Sequence, residues 1–211
     1  GKLRAAEEFQ SRREAEREQL ETTPALPDRD RFGGWADGPR RDPTGFFRTE
    51  KVDGKWWLVT PDGTLFFSVG QDGIRPVEYT FITRRESMFS WLPEESDPLR
   101  KYIQRIGGAV EGPIREGLAI NWYGLNIERK YGAGASDPFE LWAEVALKRL
   151  RAWGFNTIAN WSDARLFRRD VPYVIPGSVG GTHNRITVNQ PSAGATIHDP
   201  FDPRFAVSVR N

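Results

Sequence analysis

Cysteine is absent from the 211 residues, which excludes disulfides, thiolate metal ligands and a cysteine nucleophile. It leaves the redox compartment open, because many secreted proteins also lack bridges. No apolar run approaches the roughly 18 residues that a membrane-spanning helix needs, and no basic-then-apolar signal segment opens the chain. An excess of one charge is missing too: 30 basic residues face 29 acidic ones, for a formal charge of +1. No global field therefore favours nucleic acid or an anionic membrane surface. The chain begins at Gly1 without methionine, and we expect its natural beginning to be missing.

Several catalytic signatures are equally absent. The glycine-rich loop after Pro176 (Gly177, Gly180, Gly181) contains neither G-x-x-x-x-G-K-[ST] nor G-x-G-x-x-G and does not open a helix at once, so a phosphate site has no support. Ser68, Ser162 and Ser178 stand outside any G-x-S-x-G elbow. The two histidines, His183 and His198, lack H-E-x-x-H spacing, and a zinc site would need carboxylates that cannot be placed. No metal or cofactor is implied.

What the chain does contain is aromatic surface, 12% of residues with eight tryptophans. Indoles fill cores, and they also offer flat apolar faces that stack on sugar rings or bases. A hydrophobic content of 38% suffices for one large domain or part of a larger one.

Residues 1–20 are helix formers of mixed charge with a thin apolar stripe, an exposed helix or a linker. Residues 22–44 are dense in Pro, Gly and Asp and read as an irregular connection, with Phe32 and Trp35 as candidates to pin it. The turn signals V-D-G-K and P-D-G-T then separate three short runs, a β-meander over 46–52, 55–60 and 64–70. The third run, L-F-F-S-V-G, is continuously apolar, as in a strand covered on both faces, and predicts the start of a parallel sheet. Residues 75–135 read as a long insertion: R-R-E-S-M-F-S-W-L-P and D-P-L-R-K-Y-I-Q-R-I suggest short helices, G-G-A-V-E-G-P-I-R-E-G a loop, and I-N-W-Y-G-L-N-I-E-R-K-Y-G either strand or helix.

Helix grammar resumes at Asp137, a cap followed by Pro138 and Glu140. Phe139, Trp142, Ala146, Leu150 and Trp153 recur at helical steps, and Gly154 can close the helix in a left-handed conformation. F-N-T-I-A-N-W follows as a strand, Ser162 or Asp163 caps a short helix, and P-Y-V-I-P is the next strand candidate. Asp202 and Pro203 start a last helix with Phe205 and Val209 on one face. Alternating elements of this kind build a parallel sheet, either the opening of a (β/α)8 barrel or a small doubly wound sheet.

In either sheet, ligands bind beyond the carboxyl ends of the strands. That rule selects Gln71 and Asp72, then Asn160 to Asp163, then the G-S-V-G-G-T-H-N loop with His183. Asn160 can hydrogen-bond a hydroxyl and Trp161 can stack on an apolar face while Asp163 caps the next helix; packing of Trp161 under the loop is the competing account.

Five stretches in order, G-K-W-W-L-V-T-P-D-G-T-L-F-F-S-V-G (54–70), R-R-E-S-M-F-S-W-L-P (84–93), N-I-E-R-K-Y-G (126–132), R-L-R-A-W-G-F-N-T-I-A-N-W-S-D (149–163) and D-P-F-D-P-R-F (199–205), resemble the agarase-type glycoside hydrolases of family fifty. The resemblance runs from about Gly45 to Asn211, with gaps at 107–118 and 181–197. It implies an α/β fold: an N-terminal helix and linker (1–44), then a short meander and the first three units of a (β/α)8 TIM barrel (45–211), the barrel being incomplete. It also implies a secreted or periplasmic parent enzyme that cuts β-linkages in agarose-like galactans with retention, using two glutamates at the ends of the fourth and seventh barrel strands. No residue here inherits either role, so the chain is expected to hold substrate through Gln71, Asp72, Asn160, Trp161, Asp163 and His183 without catalysing. Neither nucleic acid nor a membrane is an expected partner. A non-catalytic carbohydrate-binding module, and a barrel acting on another β-galactoside or β-glucan, are the alternatives.

Three barrel strands would leave an open sheet edge and an uncovered apolar face. The chain alone is therefore expected to unfold weakly or to aggregate on heating. A sharp, reversible thermal transition in a monomer would contradict this.

Overall fold

The computed structural model describes residues 8–24, 26–108, 112–132, 136–177, 179–186 and 197–210. The first seven residues of the N-terminal helix reading, and residues 109–111 and 178 of the two loop readings, lie outside that set. The chain forms two compact units, 1–174 and 175–211, and each is described by itself.

In the first unit, α1 (Glu8–Thr22) is followed by an irregular segment held at Asp30. Its carboxylate accepts from the backbone N–H of Phe32 and Gly34 and from the hydroxyl of Thr64. β1 (Arg48–Val52) and β2 (Lys55–Val59) pair antiparallel around Asp53 and Gly54, both at positive φ (48° and 80°). That is the two-residue turn whose twist suits a hairpin, and D-G is its usual sequence. β3 (Leu65–Phe66) adds to β2.

The apolar run predicted as one strand divides after Phe66. Leu65 and Phe66 close the meander, whereas β4 (Gly70–Gln71) belongs to a different sheet. Phe67, between them, is 70% exposed, so the run is not covered on both faces within this unit.

An inserted antiparallel sheet follows, with β5 (Tyr79–Phe81), β6 (Ile103–Ile106) and β7 (Gly117–Asn121) in the order β5-β7-β6. The two predicted short helices are 3-10 turns, Glu86–Met88 and Pro98–Tyr102. The stretch legible as strand or helix is both in succession, since β7 runs into α2 (Trp122–Tyr131). Asn121 makes the junction: its Oδ1 caps α2 through Gly124 N–H and its Nδ2 donates to Pro76 O.

α3 (Pro138–Ala152) starts on the Asp137 cap. It ends with Phe155 N–H bonded to Leu150 O and Gly154 N–H to Arg151 O, Gly154 sitting at φ 84°. This pair of bonds is the Schellman closure that glycine favours. Trp142, Ala143, Ala146 and Leu150 pack on Ile127, Tyr131, Ile158 and Leu166. Trp153, predicted on the same stripe, is 66% exposed, because the chain leaves the helix there.

β8 (Thr157–Ile158) pairs parallel with β4, and Ile158 bridges in parallel to Tyr173. Asn156 braces the start of this sheet: its Oδ1 accepts from Val69 N–H, and its Nδ2 donates to Gly33 O and Phe67 O. The fold is mixed helix and strand, with no closed barrel among the described residues.

The second unit holds a hairpin of β9 (Arg185–Ile186) and β10 (Ile197–His198), then α4 (Pro203–Arg210). Asp202, buried, accepts from the N–H groups of Arg204 and Asn184.

Glu16 joins α1 to two other helices, pairing with Lys130 of α2 at 2.6 Å and with Arg149 of α3. Burial pushes its carboxyl up, but the hydrogen bonds and charges of Lys130 and Arg149 outweigh that and hold it below its ordinary value of 4.5. A depressed folded-state value stabilises above the unfolded value and is lost as pH falls through the folded one. Glu16→Gln should therefore lower the urea midpoint at pH 7, with the gap to the parent chain shrinking once pH drops below 4.5. An unchanged gap would contradict the assignment. Asn156→Ala, which removes four hydrogen bonds, should cost about 2–3 kcal/mol in the same assay, and a loss under about 0.5 kcal/mol would contradict its bracing role.

Candidate functional site

The parallel pairing places the exits of β4 and β8 side by side. Ala159 N–H bonds to Gln71 O (3.0 Å), Gly73 N–H to Asn160 O (2.8 Å) and Asp163 N–H to Ile74 O (2.9 Å). Ser162 completes the lacing, its hydroxyl donating to Ala159 O at 2.8 Å and accepting from Ile74 N–H at 3.2 Å. Two loops that are 88 residues apart in sequence thus behave as one ledge. The sequence marks Ser162 as a helix cap and as part of the strand-exit segment 160–163, but not this lacing, for which a lone serine gives no signal.

On the ledge stands Trp161. Its backbone is left-handed, φ 57°, a region that costs a bulky residue about 1–2 kcal/mol. The N–H of Trp161 donates to the side-chain oxygen of its neighbour Asn160 at 3.1 Å, and the loop bonds on either side hold the turn. The indole is 65% exposed, so it does not pack under the loop. The left-handed backbone and the solvent-facing indole therefore occur together at the exit of β8.

The other predicted residues divide by role. Gln71 is exposed at the end of β4, its Nε2 donating to Asp72 O at 3.0 Å. Asp72 is exposed beside it. Asp163 is engaged locally: its Oδ1 accepts from Arg165 N–H, and its carboxylate pairs with the Arg165 guanidinium at 2.9 Å. It caps the 3-10 turn Ala164–Leu166, a structural task. Arg75 and Glu78, an ion pair at 2.6 Å, follow the ledge toward the inserted sheet and were not predicted.

His183 lies in the second unit and is 5% exposed. Its Nδ1 contacts Ser208 Oγ at 2.8 Å and its Nε2 contacts His198 Nδ1 at 2.6 Å, so both ring nitrogens are used internally. Among the described residues, no group of three or more His, Cys, Asp or Glu side chains is placed to hold a metal ion, and no helix is long and apolar enough to cross a membrane.

A groove of about 850 Å³ in the first unit reaches Ser68 and Thr157 at the amino-terminal side of the strands and is walled by Phe32, Phe47, Leu58 and Phe66. Its lining is charged as well as apolar, with Asp30, Asp170, Arg31, Arg151 and Arg169 around it.

No family model matches the chain. It is 39% identical, over 99% of its length, to Beta-agarase B of Vibrio sp. (strain JT0107), and 33% identical, over 87%, to Beta-agarase A of the same strain. It spans 24% and 20% of those two proteins. A solved exo-beta-agarase superposes with a TM-score of 0.79 at 30% identity, covering 99% of this chain and 33% of the other. In sequence and in fold the chain is similar to beta-agarases, spanning about a quarter of the length of the curated relatives and a third of the solved one.

Proposed function

We propose that this chain supplies the sugar-holding ledge of a glycoside hydrolase acting on agarose-like galactans. The observation that carries the reading is Trp161, held left-handed and exposed at the carboxyl end of β8. Its indole stacks on the apolar face of a galactose ring, while the amides of Gln71 and Asn160 and the carboxylate of Asp72 bind hydroxyls. Asp163 fixes the turn that follows. The agarase names of the relatives supply the substrate class, and the parallel strands β4, β8 and Tyr173 are, in this reading, the first three of a (β/α)8 barrel comprising residues 45–211.

Retaining hydrolysis needs two carboxyl groups about 5–5.5 Å apart, one as acid and base and one as nucleophile. We assign neither role to a residue of this chain. Its task is binding and orientation, and the isolated chain is inactive on agarose. A separate carbohydrate-binding module is disfavoured by the parallel pairing of β4 with β8 across a helix.

Titration calorimetry with agaro-oligosaccharides tests the ledge. Trp161→Ala should weaken binding about tenfold. Trp161→Gly should weaken it as much while raising stability by up to about 1 kcal/mol, because glycine tolerates the left-handed backbone. Unchanged affinity in Trp161→Ala would remove the proposed role, and a Trp161→Gly chain less stable than Trp161→Ala would remove the strain.

A further inference from the structure

His183 and His198 are the two histidines of the sequence, and the bonds around them dictate where their protons sit. The Ser208 hydroxyl donates to Arg204 O at 3.0 Å. With its single proton so used, it accepts at the 2.8 Å contact with His183, so His183 Nδ1 carries a proton. In a ring that carries one proton, Nε2 of His183 then presents a lone pair. The 2.6 Å contact with His198 Nδ1 then makes His198 the donor. Protons are ordered in one direction, from His198 to His183 to Ser208 to Arg204 O.

This relay leaves one acceptor at its outer end. Nε2 of the half-buried His198 has no hydrogen-bond partner among the described residues and must carry a lone pair. A ring held in one tautomer by a partner behind it is oriented to receive a proton donor in front. Phe205 of α4 lies against both rings, its centroid 5.2 Å from that of His183 and 6.3 Å from that of His198, and offers an apolar face. An acceptor beside an aromatic ring suits a sugar; with no cluster of three metal-ligating side chains among the described residues, a metal is the poorer fit.

We propose that His198 is a second sugar-contacting residue, its Nε2 accepting a hydrogen bond from a galactan hydroxyl, and that His183 is the positioning residue that fixes its tautomer. The proposal rests on the galactan reading above. It also moves the sugar contact expected at His183 to His198, since His183 has no free nitrogen. The charged groups of this unit around the pair are Arg185 on β9, Asp199 after β10, and the Asp202–Arg204 ion pair (2.7 Å) at the start of α4. Burial, then the charge of Arg185, push His198 below its ordinary value of 6.5. The lone pair therefore persists at neutral pH, and its contribution to binding is present above the lowered value and lost as pH falls through it.

The test uses the whole chain, with nitrogen-15 spectra of the imidazoles and calorimetry with an agaro-oligosaccharide. At pH 7 both rings should show a protonated Nδ1 and a bare Nε2. Adding the oligosaccharide should shift Nε2 of His198 and leave the His183 nitrogens in place. His198→Ala should weaken binding about fivefold, with His198→Gln, which keeps an acceptor, losing less. In His183→Ala the His198 signals should become a mixture of tautomers; should that variant fail to fold, the tautomers of the unsubstituted chain still decide. A proton on Nε2 of His198 at pH 7 overturns the proposal. So does unchanged binding in His198→Ala while Trp161→Ala is weakened, which leaves the galactan reading standing. Absence of binding by the unsubstituted chain overturns both.

Discussion

The parallel pairing of Gly70–Gln71 with Thr157–Ile158 is the contact on which the ledge depends. It requires close approach: a Cβ on Gly70 would stand 3.0 Å from Thr157 O and 3.2 Å from Ala159 Cβ. Asn156 braces the pair where the strands begin, with bonds to Gly33, Phe67 and Val69. Ser162 and the backbone of Gly73, Asn160 and Asp163 lace it where they end. Behind the sheet, Ile158 is buried with Leu150, Trp142 and Leu166, so the packing of α3 sets the height at which both strands emerge. A short sheet is thereby held at both ends, and a strained residue can survive on it.

Trp161 uses that rigidity. Left-handed backbone under a large side chain persists only where its surroundings over-determine it, and here the Asn160 side chain and the laced loops do so. In the proposed reading, stability is given up for the position of one exposed indole, the usual relation between a fold and its binding residues. The insertion between β4 and α3 adds a second support: Asn121 ties its helix and sheet to Pro76, just past the ledge.

Local grammar was legible wherever one residue decides a backbone state. The Asp53–Gly54 turn, the Asp137 cap and the Gly154 closure all appear as the sequence predicts. So does the exit of the second parallel strand at Asn160 and Trp161. Long-range pairing was not legible. Nothing local marks Phe66 as the point where an apolar run changes sheets, or Ile103 as a strand start in a segment that reads as helix. The exposure of Trp153 and the burial of His183 depend on what packs nearby rather than on spacing. The hairpin of β9 and β10 joins two-residue strands, too short for any periodicity to show. The strain at Trp161 was invisible for a similar reason, because tryptophan carries no left-handed preference and its conformation is imposed by neighbours.

The central claim is that the ledge formed by β4 and β8 grips a sugar through Trp161. The eight tryptophans give eight indole signals in a proton–nitrogen spectrum, assigned by substitution. On titration with an agaro-oligosaccharide, the account predicts that the Trp161 indole shifts most, with Trp56 and Trp153, equally exposed but away from the strand exits, unmoved. A titration in which Trp56 or Trp153 responds and Trp161 stays fixed would contradict it.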